Sequence, residues 1–371
     1  MSNYFNHHQR PVSDAFFAEL GEGYLFIETS EMPQERKNMG WEMKEYPAYV
    51  VPNSVFCANK EHYQSLIDKA DVVIIGSAPM FLVKRRMKHN RLIFVYSERP
   101  LKKGFEFWKY PYRFLRWRMC GYSRRCVNLL GASAYAAGDF EKFFLFRDRS
   151  FRWGYFPETY RYDSIERLIS AKTQNSIIWV ARFLKLKHPE IAVELGKRLK
   201  RDGYNFRIDM IGSGFLQDDI AELVKNEGLE NEIHLLGTMT PEEVRQYMEK
   251  SQIHIFTSDR KEGWGAVLNE AMNSGCVSVA NRTIGSVPYL IDHGQNGFMY
   301  SGFEELYEQV KYLLDHKEIC MAMGKAAYST IVDEWNAENA ARRFLKLADN
   351  LTMGVGNDAS YENGVCGKVK R

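Results

Sequence analysis

The sequence predicts an α/β protein of two domains, each built on a parallel β-sheet. A chain of 371 residues exceeds the usual size of a single hydrophobic core. Short apolar runs alternate with helix-like segments along most of the chain, and this alternation is typical of parallel sheets. Apolar residues make up 45% of the chain and charged residues 26%, which are ordinary values for a folded protein.

We expect a first domain over residues 1–170 and a second over 171–335. A helix over 336–353 is expected to pack back on the first domain, and the polar residues 354–371 are expected to form a disordered tail. In the first domain, Ser13 or Asp14 caps a helix, and further elements follow as apolar runs bounded by turn residues. The predicted strands cover residues 23–29, 71–76 and 91–96, with a helix over 61–69.

Two features of the first domain bear on its function. The run Tyr4–Gln9 is typical of the loop that follows a strand, so either the first strand is absent or the true start lies upstream. Glu98 and Arg99 directly follow the strand at 91–96, at the carboxyl end where parallel sheets bind ligands. They are candidates for the rim of a cleft, and a simple turn stopped by Pro100 is the alternative.

Residues 84–125 form a basic and aromatic segment. They include 14 Lys and Arg but only two acidic residues, and eight aromatic side chains lie within residues 102–126. This composition is typical of a helix lying on an anionic lipid surface. A partly buried helix whose bases reach solvent is one alternative, and a nucleic-acid surface is another, although no nucleic-acid-binding motif accompanies the segment. Residues 1–170 hold 26 basic and 19 acidic residues, a balance of +7, so an anionic partner would meet this half.

In the second domain, short apolar runs predict five strands, at residues 176–181, 207–211, 231–237, 253–257 and 276–280. Helices are expected over 190–200 and 304–315, and the last helix over 337–351. Thr240 followed by Glu243 has the pattern of a capping box at the start of a further helix.

The stretch Asp259–Gly275 carries two glutamates, Glu262 and Glu270, eight residues apart. If a helix separates them, their backbones lie about 12 Å apart at a rise of about 1.5 Å per residue. A hydrolytic carboxylate pair needs carboxyl groups about 5–9.5 Å apart. The spacing therefore suits the two ends of one extended ligand, and two unrelated glutamates on a solvated helix face are the alternative.

Three loops of the second domain are expected at the same edge of its sheet, because each follows a parallel strand. Arg182 and Lys187 supply cations, and glycines in the other two loops expose backbone N–H groups. Together with a helix start, these groups predict a site for a diphosphate. The glycines are Gly212, Gly214, Gly263 and Gly265. Because Gln217 stands where a third glycine would be needed, the first pair is not a dinucleotide fingerprint.

Over about residues 175–300, this pattern resembles the donor-binding domain of retaining GT-B glycosyltransferases of glycosyltransferase family 4, the glycosyl transferases group 1. The resemblance rests on Val180–Lys187, the Gly212–Gly214 loop and Glu262-x7-Glu270. It implies the GT-B fold, in which two Rossmann-like domains face a cleft. The runs Tyr4–Gln9 and Trp153–Pro157 are similar to bacterial members from surface-polysaccharide gene clusters.

The resemblance also implies roles for the donor-site residues. Arg182 and Lys187 would hold the donor diphosphate and stabilise the charge that develops on it. Glu262 would lie beside the donor sugar, and Glu270 would bind the ribose hydroxyls. The backbone of the Gly263-Trp264-Gly265 loop would contact sugar and phosphate.

The family is expected to need neither a metal nor a cofactor beyond its UDP- or GDP-type sugar donor, and the sequence contains no Asp-x-Asp. The implied acceptor is lipid-linked or an oligosaccharide, which would place the protein peripherally on the inner face of the cytoplasmic membrane. His7 and His8 fall where the first domain faces the donor in this family, and two surface histidines on a loop are the alternative. Three positions depart from the family pattern: Ala181 and His188 replace glycines, and Tyr289 replaces a glutamate.

Other functions stay open on sequence grounds. A sugar-nucleotide epimerase could use the same architecture, and a non-catalytic protein that binds sugar nucleotides or membranes could retain it. A nucleic-acid binder is the third alternative. The six cysteines show no CxxC pair, which indicates free thiols in a reducing compartment, and no apolar run approaches the length of a membrane span.

Overall fold

The computed structural model describes residues 1–38, 43, 45–354 and 361–369. It divides the chain into unit 1, residues 1–158 and 335–371, and unit 2, residues 159–334. The first boundary therefore falls earlier than the expected residue 170. Ile165 and Ile169 pack with Tyr328 and Val332 of unit 2, which assigns the segment before Ser176 to the second unit.

Unit 1 is built on short parallel strands. β3, β4, β5 and β6 form one sheet in that order, and β1 pairs with β2. Met1 and Ser2 lie between β1 and β3, because Ser2 N donates to Ile27 O (3.2 Å) and Gly76 N donates to Met1 O (3.0 Å). The strands are β1 (Phe26–Ile27), β2 (Val50–Val51), β3 (Val73–Ile75), β4 (Ile93–Ser97), β5 (Val127–Gly131) and β6 (Ser150–Arg152).

The helices of this part of the chain are α1 (Arg10–Leu20), α2 (Gln34–Asn38), α3 (Asn53–Ala58), α4 (Lys60–Lys69), α5 (Lys84–Lys88), α6 (Tyr110–Met119) and α7 (Ala136–Glu141). Helix α1 begins three residues before the predicted cap, with Pro11 in its first turn. Ser13 is buried inside this helix and its Oγ accepts a hydrogen bond from Tyr24 Oη (3.0 Å). The prediction that Ser13 or Asp14 caps the helix is therefore wrong.

Unit 2 contains a parallel sheet of six strands in the order β12-β11-β10-β7-β8-β9. From β7 the chain runs outward to β9, then returns to the other side of β7 with β10 and runs outward to β12. The direction of winding thus changes between β7 and β10, which makes their carboxyl ends the expected ligand-binding crevice. The strands are β7 (Ser176–Val180), β8 (Arg207–Ile211), β9 (Ile233–Gly237), β10 (Ile253–Phe256), β11 (Val277–Asn281) and β12 (Gly297–Tyr300).

The helices of unit 2 are α8 (Ile165–Ser170), α9 (Pro189–Arg201), α10 (Gln217–Asn226), α11 (Pro241–Lys250), α12 (Val267–Asn273), α13 (Val287–Leu290), α14 (Phe303–Asp315) and α15 (Lys317–Ser329). They cover a sheet whose strands are apolar and buried, as in β7, β10 and β11. The capping box of α11 is confirmed, with Thr240 Oγ1 accepting from Glu243 N (3.3 Å) and Glu243 Oε2 accepting from Thr240 N (2.8 Å).

Helix α16 (Ala337–Thr352) belongs to unit 1, as expected for the last helix. It packs on α1 and the sheet through Phe344. The ring centroid of Phe344 lies 5.4 Å from that of Phe16, 4.9 Å from that of Phe94 and 5.9 Å from that of Trp153. These edge-to-face contacts fix the helix in the aromatic core of unit 1.

The expected disorder of the tail over 354–371 is wrong for residues 361–369. Arg152 N donates to Gly367 O and Cys366 N donates to Arg152 O, both at 2.8 Å, beside β6. Val365 and Cys366 are fully buried. Two apolar side chains in an otherwise polar run supply the anchor that composition alone did not indicate. Residues 355–360, 370 and 371 of the predicted tail lie outside the described residues.

No helix in the described ranges is both long enough and apolar enough to cross a membrane. All six cysteines are free thiols.

We expect Phe344→Ala to destabilise unit 1 by about 3–5 kcal/mol, because it removes a buried ring from a close-packed cluster. Arg342→Ala, an exposed change on the same helix, should stay within about 0.5 kcal/mol of the wild type. Urea unfolding followed by tryptophan fluorescence measures both. Equal midpoints for the two variants would show that α16 does not anchor the core.

Candidate functional site

The loops that follow β7, β8 and β10 lie at one edge of the sheet in unit 2, as the sequence predicts. The loop after β8 is held against the loop after β7. Phe183 N donates to Ser213 O (2.9 Å), and Leu216 N donates to Phe183 O (3.2 Å). Three separate parts of the sequence are thus brought to one crevice at the change of winding direction.

The two glycines after β8 are required by this contact. Gly212 and Gly214 have φ angles of 134° and 156°. A Cβ at Gly212 would lie 2.0 Å from Ala181 O, and one at Gly214 would lie 2.6 Å from Phe183 O. Because both clashes are with backbone, no side-chain movement relieves them. The glycines therefore let two loops pack together. Hydrogen bonding of their backbone N–H groups to a diphosphate stays a prediction.

The structure joins Lys187 directly to Glu262. The two residues are 75 positions apart and form an ion pair between Lys187 Nζ and Glu262 Oε2. The side chains are only 14% and 16% exposed. Because both side chains are largely removed from water, loss of either partner would leave the other charge desolvated and unpaired, which is costly.

The backbone of Lys187 is held by the end of β10. Thr257 Oγ1 donates to Lys187 O (2.5 Å) and accepts from Trp179 Nε1 (2.8 Å). Asp259 N also donates to Leu186 O (2.9 Å). Sequence reasoning missed Thr257 and Trp179 as part of the site, because both have the pattern of ordinary strand residues.

Arg182, the second predicted cation, is exposed to solvent. Across the described residues it forms no ion pair, so the structure leaves it outside the Lys187–Glu262 contact. His188 adopts a left-handed conformation (φ 50°, ψ 56°) at the start of α9. Its Nδ1 lies 2.7 Å from Glu190 Oε1 and its Nε2 lies 3.6 Å from Asp259 Oδ2. His188 thus adopts a backbone conformation that glycine adopts without strain, and its imidazole ring lies between two carboxylates.

The Gly263–Gly265 loop is fixed around a buried tryptophan. Trp264 is 1% exposed, and its Nε1 donates to Asn269 Oδ1 (2.9 Å). Its carbonyl oxygen accepts from Ser286 Oγ (2.6 Å). Gly265 has φ 85°, and a Cβ there would lie 2.4 Å from Phe256 Cζ. Asn269 and Ser286 therefore hold this loop in place, and sequence reasoning missed both contacts.

Helix α12 begins only at Val267, which corrects the predicted geometry of the two glutamates. Glu270 lies in its first turn, and Glu262 lies in the loop before it. The separation of about 12 Å, calculated from helical rise, therefore does not apply. Desolvation by the surrounding protein raises the pKa of the Glu270 carboxyl, and the positive charge of Arg245 partly offsets this effect.

The candidates in unit 1 surround a cavity of about 650 Å³ at the carboxyl ends of β3 and β4. His8, Glu98 and Arg99 line it, whereas His7 is absent from its wall and packs on His8 with a ring separation of 3.9 Å. Desolvation, followed by the nearby His7, lowers the pKa of His8 to about 4, so His8 is neutral at pH 7.

Within this cavity Glu98 and Arg99 differ in what they can offer a ligand. Glu98 Oε1 accepts from Tyr155 Oη (2.6 Å), and its Oε2 pairs with Lys102. The guanidinium of Arg99 is buried and bonds to Asp139 at 3.2 and 3.4 Å, with the ring of Tyr135 at 4.6 Å. Arg99 is therefore a structural residue of the cavity wall, committed to an internal carboxylate.

The basic and aromatic segment is divided between core and surface. Tyr110, Phe114 and Trp117 of α6 pack toward the core, which agrees with the alternative of a partly buried helix. Other aromatic side chains, such as Phe107 and Trp108, are 80% and 75% exposed. Arg86 is buried and donates to the backbone oxygens of Ile67 (2.7 Å) and Leu92 (2.9 Å), so part of the basic charge is internal.

In the described part of the chain, no group of three or more His, Cys, Asp or Glu residues is placed to hold a metal ion. Metal independence stays a prediction.

Unit 2 is a Rossmann-like unit of the kind that binds nucleotides at its change of winding direction. Residues 162–330 match the family of Glycosyl transferases group 1. The amylovoran biosynthesis glycosyltransferase AmsK of Erwinia amylovora is 26% identical over 182 residues, which is 47% of this chain and 44% of AmsK. The poly(ribitol-phosphate) alpha-N-acetylglucosaminyltransferase of Staphylococcus aureus is 21% identical over 47% of this chain and 36% of its own length.

The matched region thus spans less than half the length of these curated relatives. Among solved structures, Anabaena HepE in complex with UDP aligns with a TM-score of 0.68 at 13% identity, over 94% of this chain and 98% of HepE. TarM aligns with a TM-score of 0.60 at 15% identity, over 80% of this chain and 58% of TarM. These alignments confirm the predicted GT-B fold.

We expect Glu270→Gln to stabilise unit 2 at neutral pH. A raised pKa means that the folded state binds a proton more tightly than the unfolded state does. The wild type therefore loses stability as pH rises from the ordinary glutamate value of about 4.3 through the raised folded value. The advantage of the variant should grow over this window and disappear below it. Urea unfolding from pH 4 to pH 8, with the exposed Glu222→Gln as control, tests this, and a gain independent of pH would contradict it.

Proposed function

We propose that this protein is a retaining glycosyltransferase that moves a sugar from a nucleoside diphosphate sugar to a lipid-linked or oligosaccharide acceptor. The observation that carries the proposal is the desolvated Lys187–Glu262 pair at the crevice between β7 and β10. A cation and a carboxylate fixed side by side suit a ligand whose phosphate adjoins a hydroxyl-bearing sugar.

In this proposal Lys187 carries the main electrostatic role. Its ammonium group would contact a phosphate oxygen of the donor, with the exposed Arg182 guanidinium closing on the same diphosphate. As the bond between the anomeric carbon and the phosphate oxygen breaks, negative charge builds up on the leaving diphosphate. Cations already in position stabilise that charge more than they stabilise the ground state.

Glu262 would remain at the sugar end of the donor. In front-face displacement the acceptor oxygen bonds to the anomeric carbon on the side that the phosphate leaves, and a phosphate oxygen takes the acceptor proton. A carboxylate beside the ring favours the positive character that develops there. The hydrogen bonds of Trp264 to Asn269 and Ser286 keep the neighbouring loop fixed during this step.

Glu270 would bind the ribose of the donor. A ribose hydroxyl donates well to a carboxylate oxygen. Burial raises the pKa of the Glu270 carboxyl, and the nearby positive charge of Arg245 partly offsets this effect. The UDP complex of HepE supports a nucleoside diphosphate donor of the UDP type, with GDP as the other candidate.

The cavity of unit 1, with His8 and Glu98 in its wall, is the proposed acceptor site. Amide, hydroxyl and carboxylate groups around it match the donors and acceptors of a saccharide. The name of AmsK, a glycosyltransferase of amylovoran biosynthesis, supports a role in building a surface polysaccharide. We place the protein peripherally on the inner face of the cytoplasmic membrane, where such acceptors are made.

A panel of UDP- and GDP-sugars, incubated with membrane extract and scored by release of nucleoside diphosphate, tests the proposal. Lys187→Ala should lower turnover with the active donor by about 10²- to 10³-fold, because it removes a charge that acts on the leaving group. Lys185→Ala, an exposed change on the same loop, is the matched control and should keep wild-type turnover. A changed sugar nucleotide formed without acceptor would indicate an epimerase, and binding without any reaction would indicate a non-catalytic protein.

The two glutamates should separate into kinetic classes. Glu262→Gln should lower kcat by about 10²-fold with little change in KM, since its charge acts in the transition state. Glu270→Gln should raise KM for the donor by about tenfold, since it weakens hydrogen bonds made equally before and during the reaction. Steady-state kinetics and calorimetry with the nucleoside diphosphate measure both. The reverse assignment would refute the proposed donor orientation.

A further inference from the structure

Helix α6 has two apolar faces, of which only one is covered. Its inner face packs on α7 and the residues after it. The ring of Trp117 lies 4.6 Å from that of Phe143 and 5.2 Å from that of Phe140, and the ring of Tyr110 lies 4.8 Å from that of Phe143. This face alone is enough to hold the helix on unit 1.

The other apolar face points to solvent. Trp108, Tyr112, Leu115 and Met119, here called the exposed stripe, are 75%, 64%, 61% and 71% exposed. Their spacing of four, three and four residues places them on one side of the helix and the turn before it. Isolated exposed apolar residues need no explanation, but a continuous stripe of four large side chains marks an interaction surface.

Charge around the exposed stripe selects the partner. Residues 84–125 hold 14 basic and two acidic residues, and of the basic ones only two arginines are buried inside unit 1. Lys109, Arg116 and Arg118 are exposed beside the exposed stripe. Tryptophan and tyrosine favour the boundary between headgroups and acyl chains, and each nearby base strengthens attraction to an anionic bilayer. A second copy of the chain would bring the same positive charge to this face and be repelled.

The same helix also forms part of the cavity wall. Arg113 lies next to Tyr112 in the sequence, yet its side chain lines the cavity. Its Nη2 donates to Glu106 Oε2 (2.8 Å), whereas its Nη1 is buried and has no hydrogen-bond partner among the described residues. Gln9 Oε1, also in the cavity wall, is buried and likewise unpartnered within the described ranges.

The basic groups of the cavity are concentrated near this helix. Lys102 and Lys103 join Arg113 in the wall, while Asn3, Asn6 and Gln9 line it from the N-terminal loop. Lys102 is paired with Glu98, but the buried Arg113 Nη1 needs an acceptor. A phosphate oxygen would supply that acceptor, and a saccharide beyond it would reach the amide side chains.

We propose that the acceptor is a saccharide attached to a lipid phosphate, and that unit 1 takes this lipid from an anionic bilayer. The exposed stripe enters the headgroup region, and the lipid's phosphate binds at Arg113 while its acyl chain stays in the membrane. This inference deepens the proposed function and rests on it for the meaning of the cavity as an acceptor site. One helix then serves both as membrane contact and as wall of the binding site.

Vesicle sedimentation of the full chain tests the membrane contact. Wild-type protein should bind vesicles of phosphatidylcholine mixed with phosphatidylglycerol but not vesicles of phosphatidylcholine alone. The double variant Leu115→Ser/Met119→Ser should bind the mixed vesicles about tenfold more weakly or worse, because two large side chains no longer leave water. The matched control is Leu20→Ser/Met353→Ser, since both side chains are exposed in the same unit, 43% and 76%, away from α6. Equal binding by both double variants would overturn the proposal.

Calorimetry with dodecyl phosphate below its micellar concentration tests the cavity. Arg113→Gln should weaken binding about tenfold or more, the loss expected for a charge-assisted hydrogen bond, while Arg116→Gln on the same helix should not. Inorganic phosphate should bind more weakly than dodecyl phosphate. Equal affinities for the two phosphates, or no effect of Arg113→Gln, would overturn the lipid assignment.

Two further measurements separate the explanations. Unchanged thermal unfolding midpoints would show that the variants fold, and Arg113→Lys, which keeps the charge, should restore part of the dodecyl phosphate affinity. A dimer in sedimentation velocity that Leu115→Ser/Met119→Ser dissociates would assign the exposed stripe to a second copy and refute the membrane contact. If the wild type binds vesicles but no nucleoside diphosphate sugar, the proposed function is refuted. If it releases nucleoside diphosphate from the donor but does not bind vesicles, only this inference is refuted.

Discussion

The ion pair between Lys187 and Glu262 is the interaction on which the candidate donor site depends. Neither side chain could hold its position alone, because each charge is largely removed from water and needs the other. Their meeting requires β7 and β10 to be neighbours, which the strand order of unit 2 provides. The hydroxyl of Thr257 and the backbone of Asp259 then fix the Lys187 loop at the end of β10. The charge of Lys187 is thus anchored by strand pairing and by polar groups at the end of the neighbouring strand.

Much of this arrangement could be predicted from the sequence. The strands of unit 2 are short apolar runs with clear ends, so their order along the chain and the edge at which Lys187, Gly212 and Glu262 lie followed from pattern alone. The capping box at Thr240 could also be predicted, because it depends on residues only three positions apart. These features are local, or they follow from the general rule that parallel strands present their carboxyl ends together.

What could not be predicted depends on contacts between distant residues. Nothing near Trp264 in the sequence indicated that Ser286 would bind its carbonyl, and the start of α12 at Val267 is set by the rigid loop before it. The buried Val365 and Cys366 were hidden in a polar segment, since two apolar residues give no periodicity to detect. Arg99 does line the cavity, but its bond to Asp139 could not be predicted, because the two residues lie 40 positions apart in the sequence.

The two proposals give each unit an anion to bind, and the two candidate sites are built differently. In unit 2 a lysine is balanced by a carboxylate and both belong to stiff loops, which suits a ligand that must be oriented to within a fraction of an ångström for reaction. In unit 1 the guanidinium of Arg113 keeps one buried nitrogen without a partner among the described residues, on a helix whose opposite side is apolar and exposed. A buried donor left unsatisfied costs stability, so its retention beside such a surface is better explained by a ligand than by the fold. Tyr110 and Trp117 anchor the inner side of this helix, whereas its outer side chains are exposed and can serve the proposed recognition.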